Sequence, residues 1–442
     1  MHTNKKKALI ITYYWPPSSG AGIYRWLKMS RYMKDNGWEP VIYTPSNPSV
    51  ARTDESLIND VPDDIEVLKY PIVEPLELYT KFTSGNKKGN IGTGLLSAGK
   101  KSSWKLKLLF WIRGNFFIPD PRRFWVRPSF RFLKKYLDKN PVNVIITTGP
   151  PHSLHLIGLK LAKKRNIKWV ADFRDPWTNI DFYDQLNLSK LADKINHKLE
   201  RTVLQKADRV VTVSNHWAQE LKDLGAEKVS VITNGYDHEE FANVKPQIDP
   251  EKFTLIHVGS MNNDRNPQVL WESLGQLMQD VPSFKEALQI LLIGDVDYRV
   301  FEELDRNNLK NNTLHIPYVK HKEIIQYLVN SSVLCLPLNN TPNVLGIIPG
   351  KLFEYLAAQR VILAIGPLNG DSASIIEETN GGVVIDYNDE NGMYKAIHTF
   401  FEKHRVGKLI SESEGITKYS RQNLSKEFCH LLDQVIESGN SS

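Results

Sequence analysis

The chain alternates between wholly apolar runs and amphipathic stretches almost from end to end. Runs of strand length occur at "ALIITYY", "EPVIYT", "IEVLKY", "VNVIITT", "KWVADF", "RVVTVS" and "VSVIT". Between most of them lie segments with helical apolar spacing, such as "GIYRWLKMSRYMKDNG" and "SLHLIGLKLAKKRN". Strands that are apolar on both faces, alternating with helices, predict a parallel sheet covered on each side. A polar, proline-bearing stretch, "NVKPQIDPEK" (243–252), interrupts the pattern, which then restarts with "FTLIHVG", "LQILLIG", "TLHIPYV", "SVLCLPL", "VILAIG" and "GVVIDY". The restart predicts an α/β chain of two doubly wound, Rossmann-like domains, at 1–245 and 250–415, with a C-terminal helix (416–442) packing back toward the first. Such a tandem implies a cleft, with ligands beyond the carboxyl ends of the strands.

Composition narrows the class. With 442 residues, 41% hydrophobic and 24% charged, the chain is an ordinary globular protein rather than a disordered one. The start "MHTNKKKALIITYYWPP" has a basic beginning and a short apolar run, but tyrosines and Pro16-Pro17 break it, so it reads as a first strand and not as a secretory signal. No run reaches the length needed to span a bilayer. Cys335 and Cys429 lie in apolar surroundings and suggest neither disulfide nor metal framework. A cytoplasmic protein is expected.

The net charge of +6 is unevenly spread. Between Lys81 and Asn140 the acids are Asp120 and Asp138 alone, among many lysines and arginines. Within this basic aromatic insertion (about 80–135), "SWKLKLLFWIRGNFF" mixes aromatic and basic residues as an interfacial helix does. Trp104, Lys105, Lys107, Phe110, Trp111 and Arg113 are the candidate membrane contacts; a surface helix packed on its own domain is the alternative.

Several loops carry candidate chemistry. Gly20 and Gly22 follow the first strand and precede a helix, a place where backbone N–H groups can approach a phosphate. A tight turn explains them equally, and the dinucleotide fingerprint is missing because Arg25 stands where its third glycine would be. "HVGSMNNDRNP" repeats the plan with Gly259, Ser260 and Arg265. In "IIPGKLFEYLAAQRVILAIGP", Gly350 precedes Lys351 and Glu354, which share a helix face by i, i+3 spacing. A lysine in a first turn opposes the helix dipole, and a shared anionic ligand would repair the misfit. The plainer reading is a surface Lys351–Glu354 pair. Asp295-Val296-Asp297 resembles a metal signature of a different fold, but after "LLIG" Asp295 reads as a strand-end cap. His152 and His155, one turn apart, lack the further ligands that a metal site needs.

Taken together, "NVLGIIPGKLFEYLAAQRVILAIGP", "HVGSMNNDRNP", "ADRVVTVSNHWAQEL", "VITNGYD", "DFRDPW" and the glycine-rich first loop resemble the retaining GT-B glycosyltransferases of family 4. The resemblance covers nearly the whole chain outside residues 50–140. It implies a nucleotide-diphosphate sugar as co-substrate, with no cofactor and no metal. It assigns Glu354 to the ribose, Lys351 and Arg265 to the diphosphate, and Gly20 and Gly22 to a loop closing over the phosphates. Ser260, Gly346, Gly350 and Leu352 complete the donor-binding set. His155 resembles a histidine near the start of the same helix in relatives, a base or donor toward the sugar. Asp175 of "DFRDPW" is a candidate to orient the acceptor hydroxyl. Gly346 departs from the pattern, since many members have a first glutamate there, and Ser260 replaces a frequent arginine. The implied acceptor is lipid-linked or a growing envelope polysaccharide, at the inner face of an anionic membrane. A nucleotide-sugar epimerase of the same fold is the alternative, and a nucleic-acid-binding protein a remote one.

Overall fold

Each predicted apolar run forms a strand, because alternating helices leave both faces of each sheet in contact with protein. The structure, a computed structural model, describes residues 5–50, 52–74, 111–181 and 183–438. Trp104, Lys105, Lys107 and Phe110 lie outside the described residues. The chain divides into two compact units, one comprising Met1–Thr233 and Arg421–Ser442, the other Asn234–Ser420.

The first unit holds a parallel sheet in the order β3-β2-β1-β4-β5-β6-β7. Its strands are β1 (Lys6–Ile11), β2 (Trp38–Pro45), β3 (Glu66–Tyr70), β4 (Val144–Gly149), β5 (Lys168–Phe173), β6 (Arg209–Thr212) and β7 (Val229–Val231). Helices α1 (Ala21–Met33), α2 (Arg123–Lys139), α3 (Ser153–Arg165), α4 (Lys190–Lys206) and α5 (Asn215–Asp223) follow in chain order. Leu133, Leu137, Leu154, Ile157, Leu161, Val203 and Leu204 of α2, α3 and α4 join one core cluster with Leu9, Ile145 and Trp169 of the sheet. The opposite face packs on α1 and on the C-terminal helix Arg421–Glu437. That helix buries Leu424, Phe428, Leu431, Leu432 and Val435, one apolar face at helical spacing. Each such side chain contributes roughly 1.5–3 kcal/mol.

The second unit repeats the plan in the order β10-β9-β8-β11-β12-β13. Its strands are β8 (Phe253–Val258), β9 (Leu288–Ile293), β10 (Thr313–Ile316), β11 (Val333–Pro337), β12 (Val361–Ile365) and β13 (Gly382–Ile385). Helices α6 (Gln268–Asp280), α7 (Tyr298–Arg306), α8 (His321–Asn330), α9 (Lys351–Ala357), α10 (Asp371–Glu378) and α11 (Glu390–Arg405) connect or flank them, and the C-terminal helix is α12. All registered pairs are parallel, and strand order reverses between β8 and β11, where such sheets place their ligands.

The boundary falls earlier than the polar stretch 243–252 suggested. Tyr236 belongs to the second unit's core, with Phe241 and Val244 packed against it. Tyr236 also donates its N–H to the Tyr419 carbonyl at 3.1 Å. Residues 234–252 therefore start the second unit, and the chain returns to the first at Arg421. Among the described residues, no helix is long and apolar enough to cross a membrane.

One buried ion pair ties the first unit together. Arg25 and Asp172 are 1% and 0% exposed. The Asp172 carboxylate accepts from Arg25 Nε and Nη2 at 3.2 and 3.0 Å, from Trp26 Nε1 at 2.8 Å and from Thr148 Oγ1 at 2.9 Å. Arg25 Nη1 donates to the Thr233 carbonyl at 2.7 Å. Satisfaction from four directions makes burial of this pair tolerable. Asp172→Ala would strand the Arg25 charge, and an expected loss of about 3–5 kcal/mol should lower the midpoint of this unit's urea transition. A midpoint within error of the parent would refute that role.

Candidate functional site

The site of the second unit is built at the carboxyl end of β8. Val258 ends that strand, and its carbonyl accepts from Lys351 Nζ at 2.5 Å. Gly259 follows at φ +107°, and a Cβ there would come within 2.9 Å of Lys351 Nζ. Glycine at 259 thus supplies both a left-handed turn and the room that the lysine occupies. Behind it, His257 Nδ1 lies 3.1 Å from the Cys335 carbonyl. A carbonyl only accepts, so Nδ1 carries the proton and Nε2 presents a lone pair. Lys351 Nζ donates to that Nε2 at 3.4 Å. Burial holds the His257 imidazole well below its ordinary pKa, with the nearby Lys351 charge adding to the effect. The fully buried Tyr355 hydroxyl accepts the Val258 N–H at 3.1 Å and fixes the strand end.

Arg265 is brought to the same place. Its Nε donates to Asn339 Oδ1 at 2.9 Å and its Nη1 to the Ser260 carbonyl at 3.0 Å. Burial, then the Arg265 guanidinium, pushes Lys351 down to about 7, with Glu354 opposing. Two cations thus converge beyond the β8–β11 reversal point. An anion arriving there would relieve their repulsion and restore the charge on Lys351.

Lys351 and Glu354 do not pair with each other. Glu354 Oε1 instead accepts from His321 Nε2 at 3.1 Å, and His321 Nδ1 lies 3.9 Å from Glu240 Oε2. The imidazole orients the partly buried Glu354 carboxylate from the first residue of α8. Gly350 adopts helical angles just before α9 and is exposed. Leu352 is fully buried in the core and its N–H is taken by the Pro349 carbonyl, so its role is anchorage rather than ligand contact. Gly346 is buried, with its N–H donated to Asn343 O at 3.3 Å. Ser260 is exposed and offers its carbonyl to Arg265. The cap before α7 is Asp297, whose Oδ1 accepts the Arg299 N–H at 3.0 Å.

In the first unit the assignments shift. Gly20 is exposed, but Gly22 makes room for protein: a Cβ there would meet Arg174 Nη1 at 3.0 Å and the Tyr14 ring at 3.2 Å. Arg174 donates to the carbonyls of Gly22, Gly149 and Pro150 at 2.6, 3.2 and 2.8 Å, joining the loops after β1, β4 and β5. His155 is 0% exposed, with Nδ1 2.8 Å from Thr147 Oγ1 and its ring stacked on Phe173. Burial drives its pKa far down. It is enclosed beneath this surface, with Nε2 left without a hydrogen-bond partner among the described residues. His152 Nε2 donates to the Pro176 carbonyl at 3.2 Å, its ring stacked on Trp177. Asp175 is partly exposed and accepts no hydrogen bond from the described residues; burial raises its carboxyl pKa, with Arg174 opposing. Trp111 is exposed, whereas Arg113 is half-buried with its charge beside Arg122 and Asp120.

Sequence reasoning missed His257, Tyr355, Asn339, His321 and Glu240. A histidine inside the apolar run "FTLIHVG" was the one available signal for the first.

Two parallel, Rossmann-like sheets with cations gathered at a strand-order reversal define a GT-B architecture. The Glycosyltransferase Family 4 model matches residues 99–240, and the Glycosyl transferases group 1 model matches residues 252–403. The two matches together give the chain a GT-B glycosyltransferase signature, one over residues 99–240 and the other over 252–403. No curated protein sequence matches it. Among solved structures it is similar to a sucrose-phosphate synthase from Thermosynechococcus elongatus, at 13% identity and TM-score 0.59, covering 99% of this chain and 98% of that one. An α,α-trehalose-phosphate synthase (UDP-forming) from Burkholderia xenovorans is similar at 11% identity and TM-score 0.59, over 97% of this chain and 100% of that one. A UDP-N-acetylglucosamine 2-epimerase from Listeria monocytogenes, at 9% identity and TM-score 0.56, covers 98% and 97%. These likenesses concern the fold.

The depressed Lys351 gives binding a definite pH dependence. If an anionic diphosphate binds charged Lys351, its pKa rises on binding, so above about pH 7 the complex must take up a proton. Affinity for a nucleoside diphosphate should then fall as pH rises, approaching about tenfold per unit, and Lys351→Arg should flatten the profile. Calorimetry in buffers of different ionisation enthalpy reads the uptake directly; none at alkaline pH would contradict the assignment.

Proposed function

We propose that the protein transfers a sugar, with retention, from a nucleotide-diphosphate sugar to a hydroxyl acceptor, using no metal and no cofactor. The observation that carries the reading is the convergence of Lys351 and Arg265 at the end of β8, with Glu354 oriented alongside. As the glycosidic bond breaks, negative charge grows on the leaving diphosphate. Preorganised cations in a partly buried site stabilise that charge without reorganising. Glu354, acceptor-only when ionised, suits the two ribose hydroxyls. Ser260 and Gly350 would border this donor, with the buried Gly346 loop beneath it. The departing diphosphate would take the acceptor proton on the donor's front face, so no protein nucleophile is needed. Asp175, a carboxylate without a hydrogen-bond donor, would orient the acceptor.

The acceptor we propose is lipid-linked or part of a growing envelope polysaccharide, and the protein works in the cytoplasm against an anionic membrane. The UDP named for the trehalose-phosphate synthase makes uridine the first donor nucleoside to test.

Lys351→Met should lower transfer by roughly three orders of magnitude while leaving the thermal transition near that of the parent, the scale of removing one preorganised transition-state donor. Activity should survive chelation with EDTA. A Lys351→Met protein that transfers like the parent would sink the proposal. Conversion of a nucleotide sugar in the absence of acceptor, beyond slow hydrolysis, would favour the epimerase.

A further inference from the structure

The outer surface of the α2–α3 layer carries charge that the site above does not use. A groove of about 500 Å³ is lined by Arg127, Phe130 and Arg131 of α2 and by Lys160, Lys163 and Lys164 of α3. Among the described residues, no carboxylate lines it. All five cations are exposed, and none makes an ion pair or a side-chain hydrogen bond with any described residue. Arg127 and Arg131 are one turn apart, as are Lys160 and Lys164, with Lys163 between. Like charges at that spacing work against their own helix, and here the two rows also repel each other across the groove. Neighbouring surfaces do neutralise themselves, as Arg165 does with Asp138. The groove is therefore a stretch of surface on which, among the described residues, five exposed cations stand together without a carboxylate.

Apolar side chains adjoin it. Phe124 is 48% exposed and lies on the α2 face of Arg127 and Arg131, at i, i+3 and i+7. Its ring contacts Phe117, with centroids 5.8 Å apart, and Arg123 Nη1 donates to the Phe116 carbonyl at 3.2 Å. Phe116 is itself 63% exposed and contacts the exposed Trp111, centroids 5.8 Å apart. A soluble polyanion would be met by the cations alone. Aromatic rings left in water beside the cations match the interface of a bilayer, where charge attraction and apolar insertion add.

We infer that this face docks on an anionic phospholipid bilayer, with the α2–α3 groove taking lipid phosphates and Phe124, Phe116 and Trp111 entering the interface. It rests on the membrane part of the proposal above but moves the contact: Arg113 is turned to its own domain, and the lysines of α3, outside the insertion, become the principal charges. Glycosyl transfer itself is not required for the inference to hold.

The full chain should sediment with phosphatidylcholine vesicles containing about 30 mol% phosphatidylglycerol, and not with phosphatidylcholine alone. The triple variant Lys160→Gln, Lys163→Gln, Lys164→Gln should bind at least about tenfold more weakly. Removing mutually repelling charges from an exposed helix face leaves the fold intact, which its thermal transition would verify. Phe124→Ser should weaken binding as well, and its residual binding should vanish in high salt. Parent-like binding by the triple variant overturns the inference. So does capture of inorganic polyphosphate together with indifference to the vesicles, which would assign the groove to a soluble polyanion. A nucleoside diphosphate that raises the melting temperature of parent and triple variant alike, whatever the vesicle result, tests the donor site separately.

Discussion

The contact between Lys351 and the carbonyl that ends β8 is the constraint around which the second unit's site is arranged. A lysine whose ammonium is held against a strand end needs a neighbour with no side chain, and Gly259 provides it. It needs a neutral partner in the core, and His257 is kept neutral by burial with its proton directed at the Cys335 carbonyl. It needs a strand end that does not move, and the Tyr355 hydroxyl secures the Val258 N–H. With these in place Lys351 is held in a buried seat beside Arg265, and burial first, then the guanidinium, brings its pKa down to about 7. Such a site is destabilised in the empty state and stabilised by an anion, which is a workable arrangement for gripping a leaving group as its charge grows.

The first unit solves a different problem. Its loops after β1, β4 and β5 are held by Arg174, which bonds to three carbonyls, while the strand end beneath is fixed by the Arg25–Asp172 pair. These two arginines lie close in sequence to candidate functional motifs, one in the first turns of α1 just after the glycine-rich loop and one in "DFRDPW", yet both are spent on architecture. Asp175, by contrast, is left partly exposed and accepts no hydrogen bond from the described residues. Two histidines that invite a catalytic reading are instead stacked with Phe173 and Trp177 below the surface.

The strands were legible because a parallel sheet packed on both faces leaves an unbroken apolar signature, and no other solution buries so many such runs at that spacing. Lys351, Glu354 and Arg265 were legible as charges at loop and helix starts beside glycines. Their partners were not. His257 and Tyr355 sit in stretches whose periodicity already accounts for them as core, so nothing local distinguishes a buried hydrogen-bonding group from a filler. Glu354 and His321 are 33 positions apart, and only the fold brings α8 beside α9. Residues 234–245, read with the first domain, fall in the second unit for a similar reason: a short segment can be anchored by one aromatic, Tyr236, without any periodic pattern of its own.

The space above Gly259 ties two distant positions together in one direction only. A side chain acquired at 259 would displace the ammonium of Lys351, ninety-two positions further along the chain, whereas shortening residue 351 would still leave 259 at φ +107°, where any side chain is strained. In descent the glycine is therefore the more tightly constrained of the two.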